Sequence, residues 1–64
     1  MRHVTVLAGR KWIMMPPDQR ALALKLAAAY VEQYAPGCTL ADDEPYEQVF
    51  DGERWLMHFE VQPQ

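Results

Sequence analysis

Apolar and polar positions change their rhythm along this chain. Residues 3–8 and 45–61 alternate in polarity and are rich in Val, Phe, Tyr and Trp. That is the period-two pattern of half-buried strands. Between them the segment PPDQRALALKLAAAYVEQY has a helical period. Its prolines stand where a helix tolerates them, in the first turn, and Asp18 sits near the positive end of the dipole. Pro36-Gly37 ends it, because the residue before Pro avoids the α region and Gly suits the exit. On a helical wheel Ala23, Leu24, Leu26, Ala27, Tyr30, Val31 and Tyr34 share one broad face. Two small residues near its centre, Ala23 and Ala27, let the helix approach a sheet closely.

One phrase occurs twice. Residues 6–14 read VLAGRKWIM and residues 49–57 read VFDGERWLM. Val, Gly, Trp and Met coincide, and the substitutions Leu/Phe, Lys/Arg and Ile/Leu are like for like. A short internal repeat marks a repeated structural unit. Asp51-Gly52 between strand-forming residues is a strong hairpin signal, since Gly accepts positive φ. Ala8-Gly9 is a weaker version of it. The repeat predicts a hairpin at 3–15, a helix at 17–35, an acidic loop at 37–45 and a second hairpin at 45–61. The fold class is α+β: a small ββαββ domain, a four-stranded, mostly antiparallel sheet with one amphipathic helix on one face. The alternative is βαββ, with Trp12–Met15 as a loop plug.

Alternation then assigns faces. A two-residue turn at 51–52 puts Tyr46, Phe50, Trp55, Met57, Phe59 and Val61 under the helix. Glu47, Val49, Arg54, Leu56, His58 and Glu60 take the other side. The same register in the first hairpin gives Leu7, Trp12 and Met14 to the helix. It leaves Val4, Val6, Lys11, Ile13 and Met15 opposite. A single helix covers a single face. Val4, Val6, Ile13, Met15, Val49 and Leu56 therefore form an expected apolar patch rimmed by Lys11, Glu47, Arg54, His58 and Glu60. Contiguous exposed apolar surface of that kind marks an interaction site. If the first hairpin is turned over, Val4, Val6, Ile13 and Met15 meet the helix and the patch shrinks.

Composition narrows the picture. Sixty-four residues make one domain, 1–64, and so short a chain buries only roughly 60% of its unfolded surface. Half its residues are hydrophobic, which is high for this size. A partner that covers apolar surface would supply what a small core lacks. Cys38 is the only cysteine, so no intrachain disulfide forms, and it reads as a small packed hydrophobe. The absence of paired cysteines, and of a leader-like apolar stretch in residues 1–11, points to the cytoplasm. No apolar run approaches the ~20 residues of a membrane span.

Candidate chemistry is sparse. The chain has no serine. Its histidines, His3 and His58, lack the close spacing of a metal pair, and no cofactor or metal is expected. Its three glycines are explained by turns and a helix end, so no phosphate-cradling loop is present. A net charge of −3 argues against binding to a phosphate backbone. Arg10, Lys11 and Trp12 could grip and stack a nucleic acid, and they form the alternative function. Asp42, Asp43, Glu44 and Glu47 make a carboxylate stretch without a base among them, which could occupy a basic groove on a nucleic-acid-processing complex of a host. The expectation is a non-catalytic protein-binding module, of the type of small phage or mobile-element inhibitors and adaptors. It would act through a sheet face, a strand edge or the acidic loop, and as a homodimer.

Overall fold

A computed structural model of the chain, describing residues 2–64, has an α+β architecture in which one helix lies on a four-stranded antiparallel sheet. The elements run β1 (Arg2–Ala8), a single 3-10 turn (Trp12–Met14), α1 (Pro17–Tyr34), β2 (Cys38–Leu40), β3 (Glu47–Phe50) and β4 (Trp55–Pro63). β4 is the axis of the sheet. On one side it pairs with β1 from Arg2↔Val61 to Ala8↔Trp55. On the other it pairs with β3 over its first half and β2 over its second. β2 and β3 thus lie end to end, as one strand interrupted by a loop. Phe59 and Glu60 of β4 face six residues, 41–46, between the pairs Leu40↔Val61 and Glu47↔His58. Two bonds frame this excursion: the Ala41 N–H donates to Glu60 O (2.9 Å) and the Tyr46 N–H to His58 O (3.0 Å).

The first hairpin does not form. Residues 12–14 make a 3-10 turn, and β1 takes β4 as its partner. Two physical causes separate the repeated phrases. The first copy runs into Pro16-Pro17, which cannot extend a strand ladder. The second continues as alternating His-Phe-Glu-Val, which can. The turn residues differ as well. Gly52 has φ 100° while Gly9 has no positive φ, so only the Asp-Gly site makes the reversal. There Asp51 Oδ1 accepts from the N–H groups of Glu53 (2.9 Å) and Arg54 (2.7 Å). These bonds hold the exposed Asp51 carboxyl below its ordinary pKa, the Arg54 N–H first and the Glu53 N–H next.

The core sits between α1 and one face of the sheet. Ala23, Ala27 and Val31 of the helix are buried, as are Val6, Met57, Phe59 and Val61 of the strands. Met57 and Phe59 are fully enclosed. Trp12 closes one end of this layer edge-to-face on Phe59, centroids 5.8 Å apart, while Met15 is buried in the core cluster beside it. The 3-10 turn is therefore the plug that the βαββ alternative describes. Arg20 fixes it by donating from Nε to Trp12 O (3.1 Å) and Met15 O (2.9 Å), and from Nη2 to Ile13 O (3.2 Å). Among the described residues no helix is long and apolar enough to cross a membrane.

Candidate protein-binding surface

Every second residue of the sheet points away from the helix. The pairings fix which. Leu7, Leu56 and Val49 line up across three strands, and Thr5, His58 and Glu47 form the next row. His3 and Glu60 make a third row. Leu7 is 48% exposed and Val49 44%, so the apolar row is open. Beside it stands a cluster of rings. The His3 and His58 centroids lie 4.9 Å apart in edge-to-face geometry, and Tyr46 sits within 6.4 Å of His3 and 6.3 Å of His58. Thr5 Oγ1 and His58 Nδ1 share a hydrogen bond of 2.8 Å, which fixes the orientation of this imidazole. Glu47 and Glu60 are the only fixed charges among the open-face strand positions; no lysine or arginine stands there.

The predicted patch separates into four places. Val49, Leu56, His58 and Glu47 do share the open face. Val4, Val6 and Met15 do not: Val6 and Met15 are buried and Val4 packs against the same core. The reason is the change of partner. Pairing with β4 sets Val6 opposite Met57, on the helix side, and turns Leu7 outward. Ile13 is 76% exposed on the 3-10 turn, away from the sheet face. Asp42 and Asp43 turn toward the helix side and line a shallow groove with Ala21, Leu24 and Lys25. Glu44 is exposed on the same loop.

Sequence reasoning missed the ring cluster. Tyr46 was expected under the helix, but the loop before β3 releases it from strand alternation and its ring meets His3 and His58. Leu7 was missed for the reason given above. Of the alternative nucleic-acid set, Arg10 and Lys11 are exposed, while Trp12 is half-buried against Phe59. Lys11 extends over the Trp55 ring, 5.3 Å from its centroid. Cys38 is free and half-buried, and the Arg2 guanidinium donates to its Sγ at 3.8 Å. Among the described residues no group of three or more His, Cys, Asp or Glu side chains is placed to hold a metal ion. No family model, curated protein or solved structure matches the chain.

Proposed function

We propose that this domain is a non-catalytic protein-binding module, an adaptor or inhibitor, that takes its partner on the open face of the sheet. The observation that carries the proposal is the Leu7–Leu56–Val49 row, an apolar stripe left uncovered by the single helix and bordered by the His3–His58–Tyr46 ring cluster and two carboxylates. Aromatic groups beside an apolar stripe are the usual makings of an interface centre. The carboxylates suit a partner whose matching ridge is bordered by basic groups, as on a nucleic-acid-processing protein. The nucleic-acid reading has less support. Among the described residues the open-face strand positions offer rings but no lysine or arginine to neutralise phosphate, and Trp12 is engaged in the core.

Quantitative capture from host lysate with wild type, Leu56→Glu and Val49→Glu tests the proposal. The wild type is expected to retain a defined protein that both variants lose by tenfold or more, while their circular dichroism matches wild type. Equal capture by all three proteins would sink the open-face assignment.

A further inference from the structure

The two edges of the sheet are built differently. One is broken into a three-residue and a four-residue strand, with Asp42, Asp43, Glu44 and Pro45 in the loop between them and Glu47 at the start of β3. Short strands, charges and proline are how natural sheets guard an edge against pairing. The other edge is β1, seven residues in unbroken register with β4. From His3 to Ala8 it has no fixed charge, no proline and no bulge. An edge left in that state pairs with another strand.

The hydrogen bonds show which groups β1 presents. His58 and Glu60 use their carbonyls on the β2–β3 side of β4. Bonding direction alternates along a strand, so Trp55, Met57, Phe59 and Val61 bond toward β1. Their partners are Ala8, Val6, Val4 and Arg2. His3, Thr5 and Leu7 then direct their N–H and C=O groups outward. Alongside this edge runs an apolar ridge of α1, Leu22, Leu26, Tyr30 and Tyr34, spaced four residues apart as one helix stripe. Leu22 is 57% exposed, Leu26 40% and Tyr34 72%. Between ridge and strand lie two grooves, one of about 210 Å³ lined by Leu7, Ala8, Leu22 and Leu26, the other of about 340 Å³ lined by His3, Thr5, Tyr30 and Tyr34.

We infer that a second copy of this chain occupies this flank, pairing β1 with β1 antiparallel about a two-fold axis at Thr5. That register makes Thr5 face its own copy and His3 face Leu7, so each outward-directed residue meets another and every such pair exchanges two backbone bonds. It also sets Val4 against the partner's Val6 on the helix side, which continues the core across the junction. The helices then lie antiparallel on one face and meet through their Leu22–Tyr34 ridges, the same patch on both protomers as a two-fold interface requires. Leu7, Leu22, Leu26 and Tyr34, each 40–72% exposed, are the apolar surface that such a junction would cover, and a standard interface takes roughly 800 Å² from each partner. Lys25 and Glu32 line grooves on the opposite, β2-facing flank. The charges on this flank, Arg2 and Arg10, stand at the two ends of the β1 groove system, leaving its centre from His3 to Ala8 without a fixed charge. This inference does not depend on the open-face reading, because pairing through β1 leaves that face free and doubles its width.

Sedimentation equilibrium of the full chain is expected to give twice the monomer mass of 7.4 kDa. Amide exchange then locates the junction. The N–H groups of His3, Thr5 and Leu7 should be protected at least tenfold over their rate in Leu26→Glu, which should sediment as a monomer, whereas Val4, Val6 and Ala8 stay protected in both. Thr5→Pro, which removes an outward donor together with the hydroxyl bonded to His58, provides a second monomeric variant, with Thr5→Val, which loses the hydroxyl alone, expected to stay dimeric. A single-chain mass at about 1 mM, near the limit of weak association, or a dimer whose three outward amides exchange freely, overturns the inference. Leu56→Glu should lose lysate capture without losing dimer mass, and Leu26→Glu should lose the mass, so failure of one proposal is visible separately from failure of the other.

Discussion

Arg20 gives the 3-10 turn the order that a strand partner would otherwise supply. Its guanidinium gathers three carbonyls that have no ladder to join, and it lies 5.9 Å from the Trp12 ring centroid. A charged donor on carbonyls of which two are part-buried and one exposed contributes about 1–2 kcal/mol after allowing for that exposure. Arg20→Ala is therefore expected to lower the thermal midpoint by roughly 4–15 °C, read by circular dichroism. Arg20→Lys should recover less than half of that, since an ammonium lacks the planar fork; full recovery would show that charge alone matters. Asp51 acts through two N–H bonds and yields a pH effect of defined sign. Its folded pKa is lowered, so its contribution is present above about pH 4, where the unfolded carboxyl is ionised, and is lost as pH falls through the folded value. Asp51→Asn keeps an accepting oxygen and should flatten this acid limb in urea titrations at pH 2–5; an unchanged limb would remove Asp51 from it. Neither residue's role was fully legible beforehand. The Asp-Gly turn has a local signature, whereas Arg20 bonds to carbonyls whose positions depend on a 3-10 turn that the repeated phrase disguised.

At the scale of elements, a register error proved harmless and a partner error did not. A two-residue turn would set Tyr46 opposite Met57, whereas the observed four-residue turn sets Gln48 there. The shift is two residues, and strand faces repeat every two, so Val49, Leu56 and His58 were placed correctly on the open side. β1 was assigned through a neighbour it does not have, and Val4, Val6 and Leu7 were inverted as a result. Local pattern identifies strands well, but which strand pairs with which is decided by contacts remote in sequence. The helix was readable to within a residue, Pro17–Tyr34 against 17–35, because its prolines and its Pro-Gly exit are local signals. Within the expected acidic loop, β2 went unseen because three residues carry too little alternation. The interruption between β2 and β3 gives a test of this topology. Deleting Asp42–Pro45 leaves Ala41 and Tyr46 to face Glu60 and Phe59 and joins β2 to β3 in continuous register. That variant should fold with a midpoint equal to or above wild type, since a shorter loop lowers the closure entropy. An unfolded product would contradict the end-to-end arrangement.

The whole molecule is a thin sandwich with radius of gyration 11.2 Å, and its single core layer leaves little margin. Domains of this length have about 3–10 kcal/mol of stability, and removing a buried Phe side chain costs about 3–5 kcal/mol. Phe59→Ala should therefore lower the thermal midpoint by more than about 12 °C, whereas Leu56→Glu on the other face of β4 should shift it by only a few degrees. Comparable losses from both would mean that the outer face is packed. One consequence of this architecture concerns synthesis. Among the described residues β4 is the only strand with which β1, β2 and β3 pair, and it follows all three in the chain. Chains grow at about 5–20 residues per second, so β1 waits several seconds for a partner separated from it by most of the molecule. None of the strand pairs within one chain can form during that interval. A nascent chain stopped before Trp55 lacks the partner of every strand, so formation of the sheet within the chain must follow the emergence of β4.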